Sequence, residues 1–218
     1  MILGIYGAGG LGREVYELAL TINDASNRWS SIVFIDDADH VEDFRNIPIY
    51  NFTEFRKTNQ KENVEVCIAV GEPVIRQILY DKLRADGVDF ATLVHPDVSI
   101  PRSSTIGLGT IICKFVSITC DVCVGENVYI HPMTCIGHDA IIGKGSVIGS
   151  FVDIAGSCVV GENVFLAINV IMKQGISIGD NTIVGLASVV HRDLPSSVIA
   201  LGNPARPMKN NEGKSVFK

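Results

Sequence analysis

The chain has 218 residues, enough for one large domain or two small ones. It is 47% hydrophobic but only 7% aromatic, so its core must be built from aliphatic side chains. The formal net charge is -6 and no run of Lys and Arg offers a track for a phosphate backbone, which argues against nucleic acid as a partner.

The N-terminus begins directly with an apolar stretch, residues 2–6, that reads as a strand. It has no basic leader region and no cleavage site, and no apolar run in the chain reaches membrane-spanning length. The expectation is a cytoplasmic protein without membrane insertion. Gly7-Ala8-Gly9-Gly10-Leu11-Gly12 follows, a strict G-x-G-x-x-G, and then a helical stretch over 13–22. Such glycines let a backbone approach a phosphate at a helix N-terminus. A second strand over 31–35 ends in Asp36 and Asp37, where an acid can bond a ribose or a base. A third strand over 64–70 ends at Gly71, and 72–86 read as a helix. This is a Rossmann-like α/β half domain covering 1–93. A dinucleotide needs two such halves, so one half suits a mononucleotide, such as that of a sugar nucleotide, and disfavours an NAD-dependent oxidoreductase. The competing reading is that the glycines only let strand and helix pack closely.

From Val94 every sixth residue is aliphatic, without a break, through Ile100, Ile106, Ile112 and onward to Val184 and Val190. A helix cannot keep a six-residue period on one face, and antiparallel strands need turn signals at wider spacing. The residue two places earlier is mostly small or β-branched, as in Thr110, Val128, Ala140 and Val164, so both positions point inward. The following residue is often glycine, as at Gly107, Gly125, Gly137 and Gly143, which suggests a sharp corner between short strands. Three hexads make one eighteen-residue coil, and residues eighteen apart stack at roughly 4.8 Å. The reading is a parallel β-helix over 94–193 with a C-terminal cap over 194–218. Residues 1–93 are expected to cover one open end and the tail the other.

Six cysteines are present, five of them inside the repeat. Cys120 and Cys123 form a C-x-x-C, but no second pair follows at zinc spacing. They read as small buried hydrophobes in a reducing compartment, with no metal site.

Taken together, Gly7–Gly12, Asp36-Asp37, Ile68–Gly71, Gly137-His138-Asp139 and Gly202–Arg206 resemble the hexapeptide-repeat sugar acetyltransferases of bacterial glycan and surface-polysaccharide pathways. That group includes the bacillosamine-pathway UDP-4-amino-sugar N-acetyltransferase and sialic-acid O-acetyltransferase-like proteins. The resemblance spans nearly the whole chain. It implies a left-handed β-helix, a homotrimer with sites between neighbouring helices, and acetyl-CoA as co-substrate. It places nucleotide-sugar contacts on Gly9, Gly10, Leu11, Asp36, Asp37 and Gly71. The general base falls on His138, its acidic partner on Asp139, and acetyl-CoA contacts on Gly156, Ile168 and Gly185. Val147 stands where the bacillosamine enzyme has a second histidine, and His131 where it has an asparagine. Both positions lie near the acceptor or the acetyl group in that enzyme.

The residues themselves support such chemistry. An imidazole titrates near neutrality and can take a proton from an attacking amine or hydroxyl, and Asp139 can stabilise the imidazolium that forms. Eighteen residues after His138 stands Gly156, whose bare backbone N–H can hold a thioester oxyanion. His131, seven residues before His138, is expected to line the same cleft and to touch substrate. His95 at the domain junction, His40 in a polar loop and His191 near the last coil read as structural or solvated. Lys173, Arg192, Arg206 and Lys209 can meet CoA phosphates or simply be solvated. The function expected is direct acetyl transfer from acetyl-CoA to the amino group of a nucleotide-linked, 4-amino-dideoxy-type sugar. Sugar O-acetylation, a non-catalytic nucleotide-binding trimeric scaffold, and a zinc-dependent hydratase are the alternatives, the last needing three convergent histidines.

Overall fold

The computed structural model describes residues 1–38, 44–59, 63–213 and 215–216. The N-terminal domain is a five-stranded parallel sheet in the order β3-β2-β1-β4-β5. β1 (Ile2–Tyr6), β2 (Ser31–Ile35) and β4 (Val64–Ile68) stand where the apolar runs predict strands. α1 spans Gly10–Ser26, so it starts inside the glycine motif rather than after it. Its buried residues Val15, Leu18, Ala19 and Ile22 recur at helical spacing and face the sheet. α3 (Pro73–Ala85) opens on a proline, whose missing N–H has no helical partner to lose. Three short elements escape the sequence patterns: β3 (Ile49–Tyr50), α2 (Phe52–Thr58) and β5 (Asp89–Phe90). They are too short to show a period. Only the Asn51 cap, which accepts the Glu54 N–H, marks one of them locally.

From Leu93 the chain winds into coils of three two-residue strands, each pairing in parallel with the strand eighteen residues on, as in Tyr129↔Val147 and Cys135↔Asp153. Three faces result. A docked face runs through Ile111, Tyr129, Val147, Phe165 and Ile183; a second through Ser117, Cys135, Asp153, Ile171 and Val189; a third through Thr105, Cys123, Ile141, Val159 and Ser177. The aliphatic residues of the six-residue period fill the interior. The corner glycines, however, are not the turning residues. A Cβ on Gly137 would lie 2.5 Å from the Gly156 nitrogen, so glycine here serves the close stacking of coils. The left-handed backbone falls two residues later, as at Asp139 (φ 59).

The expected cover of the first open end is corrected by the structure. The N-terminal domain lies along the docked face, where Leu93, Ile111, Tyr129 and Val147 join one core with Leu3, Ile5, Val15 and Leu18. The reason is on the outward side chains: this face carries Ile111, Tyr129, Val147 and Phe165 in succession, whereas the other two mix Ile141, Val159, Ile171 and Val189 with Thr105, Cys123, Ser117, Cys135 and Asp153. The tail lies at the far end. Val198–Leu201 extends the docked face and Arg206–Asn210 pairs back on it, while Leu194, Ala200 and Ala205 close the core. The cysteine expectation holds for Cys67, Cys113 and Cys158, but Cys120, Cys123 and Cys135 are exposed because they occupy outward positions of the repeat. Among the described residues no helix is long and apolar enough to cross a membrane.

Candidate active site

The glycine motif divides into two functions. A Cβ on Gly12 would lie 1.9 Å from the Gly7 oxygen, and one on Gly7, whose φ is +111, would lie 2.7 Å from the Ala69 oxygen. Those two glycines let strand and helix pack. A Cβ on Gly9 or Gly10 would meet nothing within 4 Å. Their bareness has no internal packing reason, and they sit at the N-terminus of α1, where N–H groups and the helix dipole favour an anion. The two acids behind the motif are already engaged. Asp36 accepts the Ala8 and Ala38 N–H groups at 2.8 and 3.0 Å. Asp37 accepts Tyr6 Oη–H at 2.6 Å, Lys82 Nζ–H at 2.7 Å and the Phe52 N–H at 2.9 Å. Despite some burial, the hydrogen bonds from Lys82, Tyr6 and Phe52 hold the Asp37 carboxyl below the ordinary aspartate range. Asp36 thus ties the motif to the loop after β2, and Asp37 ties β1, the start of α2 and α3 together.

Beside the motif a cavity of about 380 Å³ opens between the domains, lined by Leu11 and Gly71 from one and by His131, Val147, Gly149, Ser150, Phe165 and Ile168 from the other. Four residues expected at a site from the sequence, Leu11, Gly71, His131 and Ile168, thus meet in one place. Its walls are clamped by Arg76, which is fully buried. Arg76 donates to the Ile68 and Val70 carbonyls at 2.6 and 3.1 Å, just before Gly71, and to the carbonyl and Oδ1 of Asn127 on the helix, both at 2.8 Å. Among the described residues no carboxylate pairs with it, and burial pulls the guanidinium down to about 10. Its guanidinium also lies 5.8 Å from the Tyr129 ring centroid, and that ring packs on His131 with centroids 4.4 Å apart.

His138 stands on a different corner. The strand Cys135–Ile136 of the second face leads into it, and its Nδ1 lies 2.7 Å from Asp139 Oδ2. With Nδ1–H donated to the carboxylate, Nε2 keeps a lone pair for a proton. A Cβ on Gly156 would lie 2.5 Å from that Nε2, so the ring is laid over the bare glycine one coil on. The Gly156 N–H has no hydrogen-bond partner among the described residues. His138 thus stacks on Gly156, the residue eighteen places on. The expected sharing of one cleft by His131 and His138 is not observed. His131 follows the docked face and His138 follows the second face, so within one chain they occupy opposite edges of the second face.

Ile168 and Gly185 share the corner of His131, and a Cβ on Gly185 would clash with Leu201 of the terminal strand. Lys173 and Arg192 lie on the corner of His138, both exposed, while Arg206 and Lys209 lie on the terminal hairpin. His95 is buried, its Nδ1 accepting the Asp97 N–H at 3.1 Å, and His191 is exposed. His40 lies outside the described residues. Among the described residues no group of three or more His, Cys, Asp or Glu is placed to hold a metal ion. Sequence reasoning missed Phe165, Gly149, Ser150 and Arg76. Phe165 was findable as the bulky outward residue eighteen after Val147, but nothing local marks Arg76 as buried.

Residues 3–83 match the family described as the PglD N-terminal domain, and residues 121–156 match the bacterial transferase hexapeptide family of six repeats. A GDP-perosamine N-acetyltransferase of Escherichia coli O157:H7 is 27% identical over 216 residues, 96% of this chain and 97% of its own. The galactoside O-acetyltransferase of Escherichia coli K12 is 35% identical, but only over 51 residues, 22% of this chain and 25% of its own. Among solved structures, a histidine variant of perosamine N-acetyltransferase from Caulobacter crescentus, in complex with CoA and GDP-perosamine, superposes with a TM-score of 0.88 at 27% identity, covering 96% of this chain and 98% of its own. WeeI from Acinetobacter baumannii superposes with a TM-score of 0.88 at 26% identity over 95% of this chain and all of its own. The β-helix is of the left-handed kind found in these acetyltransferases.

Proposed function

We propose that this chain, whose two domains match the PglD N-terminal domain and the bacterial transferase hexapeptide family, carries the acetyl group of acetyl-CoA directly onto the amino group of a nucleotide-linked amino sugar. The observation that carries the mechanism is His138: a hydrogen bond from Nδ1 to Asp139 fixes its tautomer, and Nε2 faces the bare Gly156. The base takes a proton from the attacking amine, and the free Gly156 N–H receives the developing oxyanion of the thioester carbonyl. The amine nitrogen forms the new bond, the thiolate of CoA leaves, and no covalent enzyme intermediate is needed. The relatives that act on GDP-perosamine favour a GDP-linked acceptor, its diphosphate against Gly9 and Gly10. CoA runs from Gly156 along the same column, where Arg192 stands three coils from His138, roughly 14 Å at the inter-strand spacing, within the span of a pantetheine arm.

The site is completed by a second copy, in a homotrimer. One copy supplies His138, Asp139 and Gly156, and its neighbour supplies the cavity with Leu11, Gly71, His131 and Ile168. The corner bearing that cavity shows a stacked apolar column, Phe115, Met133 and Phe151, each about half exposed, with Leu186 beside it at 75%. Such a column is what a neighbouring copy would cover. The test is release of CoA thiol with acetyl-CoA and a panel of GDP-, UDP- and dTDP-linked 4-amino sugars. His138→Ala should lower turnover by about 10²–10⁴. Near-wild-type turnover in that variant, or none by the wild type with any acceptor, would sink the reading.

A further inference from the structure

His131 is the one imidazole in the cavity, and its surroundings are unusual for a histidine that only fills space. The lining is otherwise apolar apart from Ser150 and backbone. The ring lies against Tyr129 and makes no hydrogen bond to any described residue. A polar side chain that is largely buried and lacks a protein partner normally finds its partner in water or a ligand. Burial first, and the charge of Arg76 second, pull its pKa down to about 4, so it faces the cavity as a neutral ring with one N–H donor and one acceptor nitrogen. A sugar hydroxyl, also donor and acceptor, complements that pair. Leu11 and Gly71, which line the cavity with His131, belong to the domain that carries Gly9 and Gly10, so the acceptor side of the reaction reaches this cavity, and Ile168, expected at acetyl-CoA, lines it too.

We propose that His131 is a second substrate-contacting residue of the transfer site, its ring hydrogen-bonding a hydroxyl of the acceptor sugar. This rests on the acetyltransferase reading above and deepens it. His131 and its backing, Tyr129 and Arg76, belong to the copy that supplies the cavity, so each reaction would use one histidine from each of two copies. One removes a proton and one orients the acceptor.

Two substitutions separate hydrogen bonding from packing. His131→Phe keeps a flat ring against Tyr129 but has no ring nitrogen, whereas His131→Asn keeps a neutral donor and acceptor. The wild type and both variants are compared in the thiol-release assay with the best nucleotide sugar of the panel, with folding checked by thermal melts. His131→Phe should lose about 10–100-fold in kcat/KM for the nucleotide sugar with KM for acetyl-CoA unchanged, and His131→Asn should retain most of it. Wild-type kcat/KM in the Phe variant, equal losses in both variants, or a loss borne by the KM for acetyl-CoA would overturn the assignment while leaving acetyl transfer intact. Absence of turnover by the wild type across the panel would instead remove the reading on which it rests, and the assignment with it.

Discussion

The separation of His138 from the cavity makes a quantitative demand on any assembly. Within one chain the base and the cavity lie at opposite edges of the second face, because six residues of corner and strand separate their two corners. Under the proposed function, a working cleft takes its base from one copy and its cavity from the next. Consider chains carrying His138→Ala mixed one to one with chains carrying His131→Phe, co-expressed or refolded together. Neither chain alone holds both histidines. A cleft works when the base comes from a His131→Phe chain and the cavity from a His138→Ala chain. Each condition is met half the time, so about one quarter of the clefts in a randomly mixed closed ring are intact. The mixture should then show about a quarter of wild-type thiol release, well above both parents, since loss of the base alone costs about 10²–10⁴. A site contained in one chain leaves no intact cleft in the mixture. Activity no greater than the mean of the two parents, with mixed assemblies confirmed by two affinity tags, would refute the composite site.

Gly156→Ala places a methyl 2.5–2.9 Å from Nε2, Cε1 and Cδ2 of His138. The imidazole must swing away, and turnover should fall by about 100-fold while the thermal melt holds, as expected for a base displaced by about an ångström; unchanged turnover would show that the ring does not work from above Gly156. Acid stability should report on His131. Its folded value of about 4 lies below the ordinary 6.5, so between those values the unfolded chain binds the extra proton. The stabilisation is complete above pH 6.5 and is lost as pH falls through that window, with about 2 kcal/mol going between pH 7 and pH 5. Urea unfolding of the wild type and His131→Asn at both pH values measures the difference; parallel pH dependences would show that His131 is not held neutral.

The β-helix was legible because its signal is redundant. Each inward position is repeated every six residues and supported by a second position two residues earlier, so no single substitution hides the period. The N-terminal strands were legible from their apolar runs, and β3, α2 and β5 were not, since two to seven residues cannot display a period. The docking of the domain on one face was legible in principle. Tyr129, Val147 and Phe165 occupy outward positions of one face, and outward residues that large need a cover. The six-residue period, however, is carried by the inward residues alone and holds no information about which outward face is covered.

The site was legible where it depends on stacking and illegible where it depends on which face a corner follows. His138 over Gly156 follows from an interval of eighteen, which the coil turns directly into contact. His131 and His138 are only seven residues apart, and proximity in sequence suggests one cleft. In a coil of three faces, however, an interval near six moves a residue to the next corner, and only multiples of eighteen return it to the same edge. Seven residues therefore put the two histidines on different edges of the prism, as the placement of their strands requires. The same arithmetic groups Ile168 and Gly185 with His131, and Arg192 with His138 and Gly156. The candidate site residues thus fall into two sets on different edges of one chain, and the proposed transfer joins them across copies because no inserted loop bridges the corners of the β-helix.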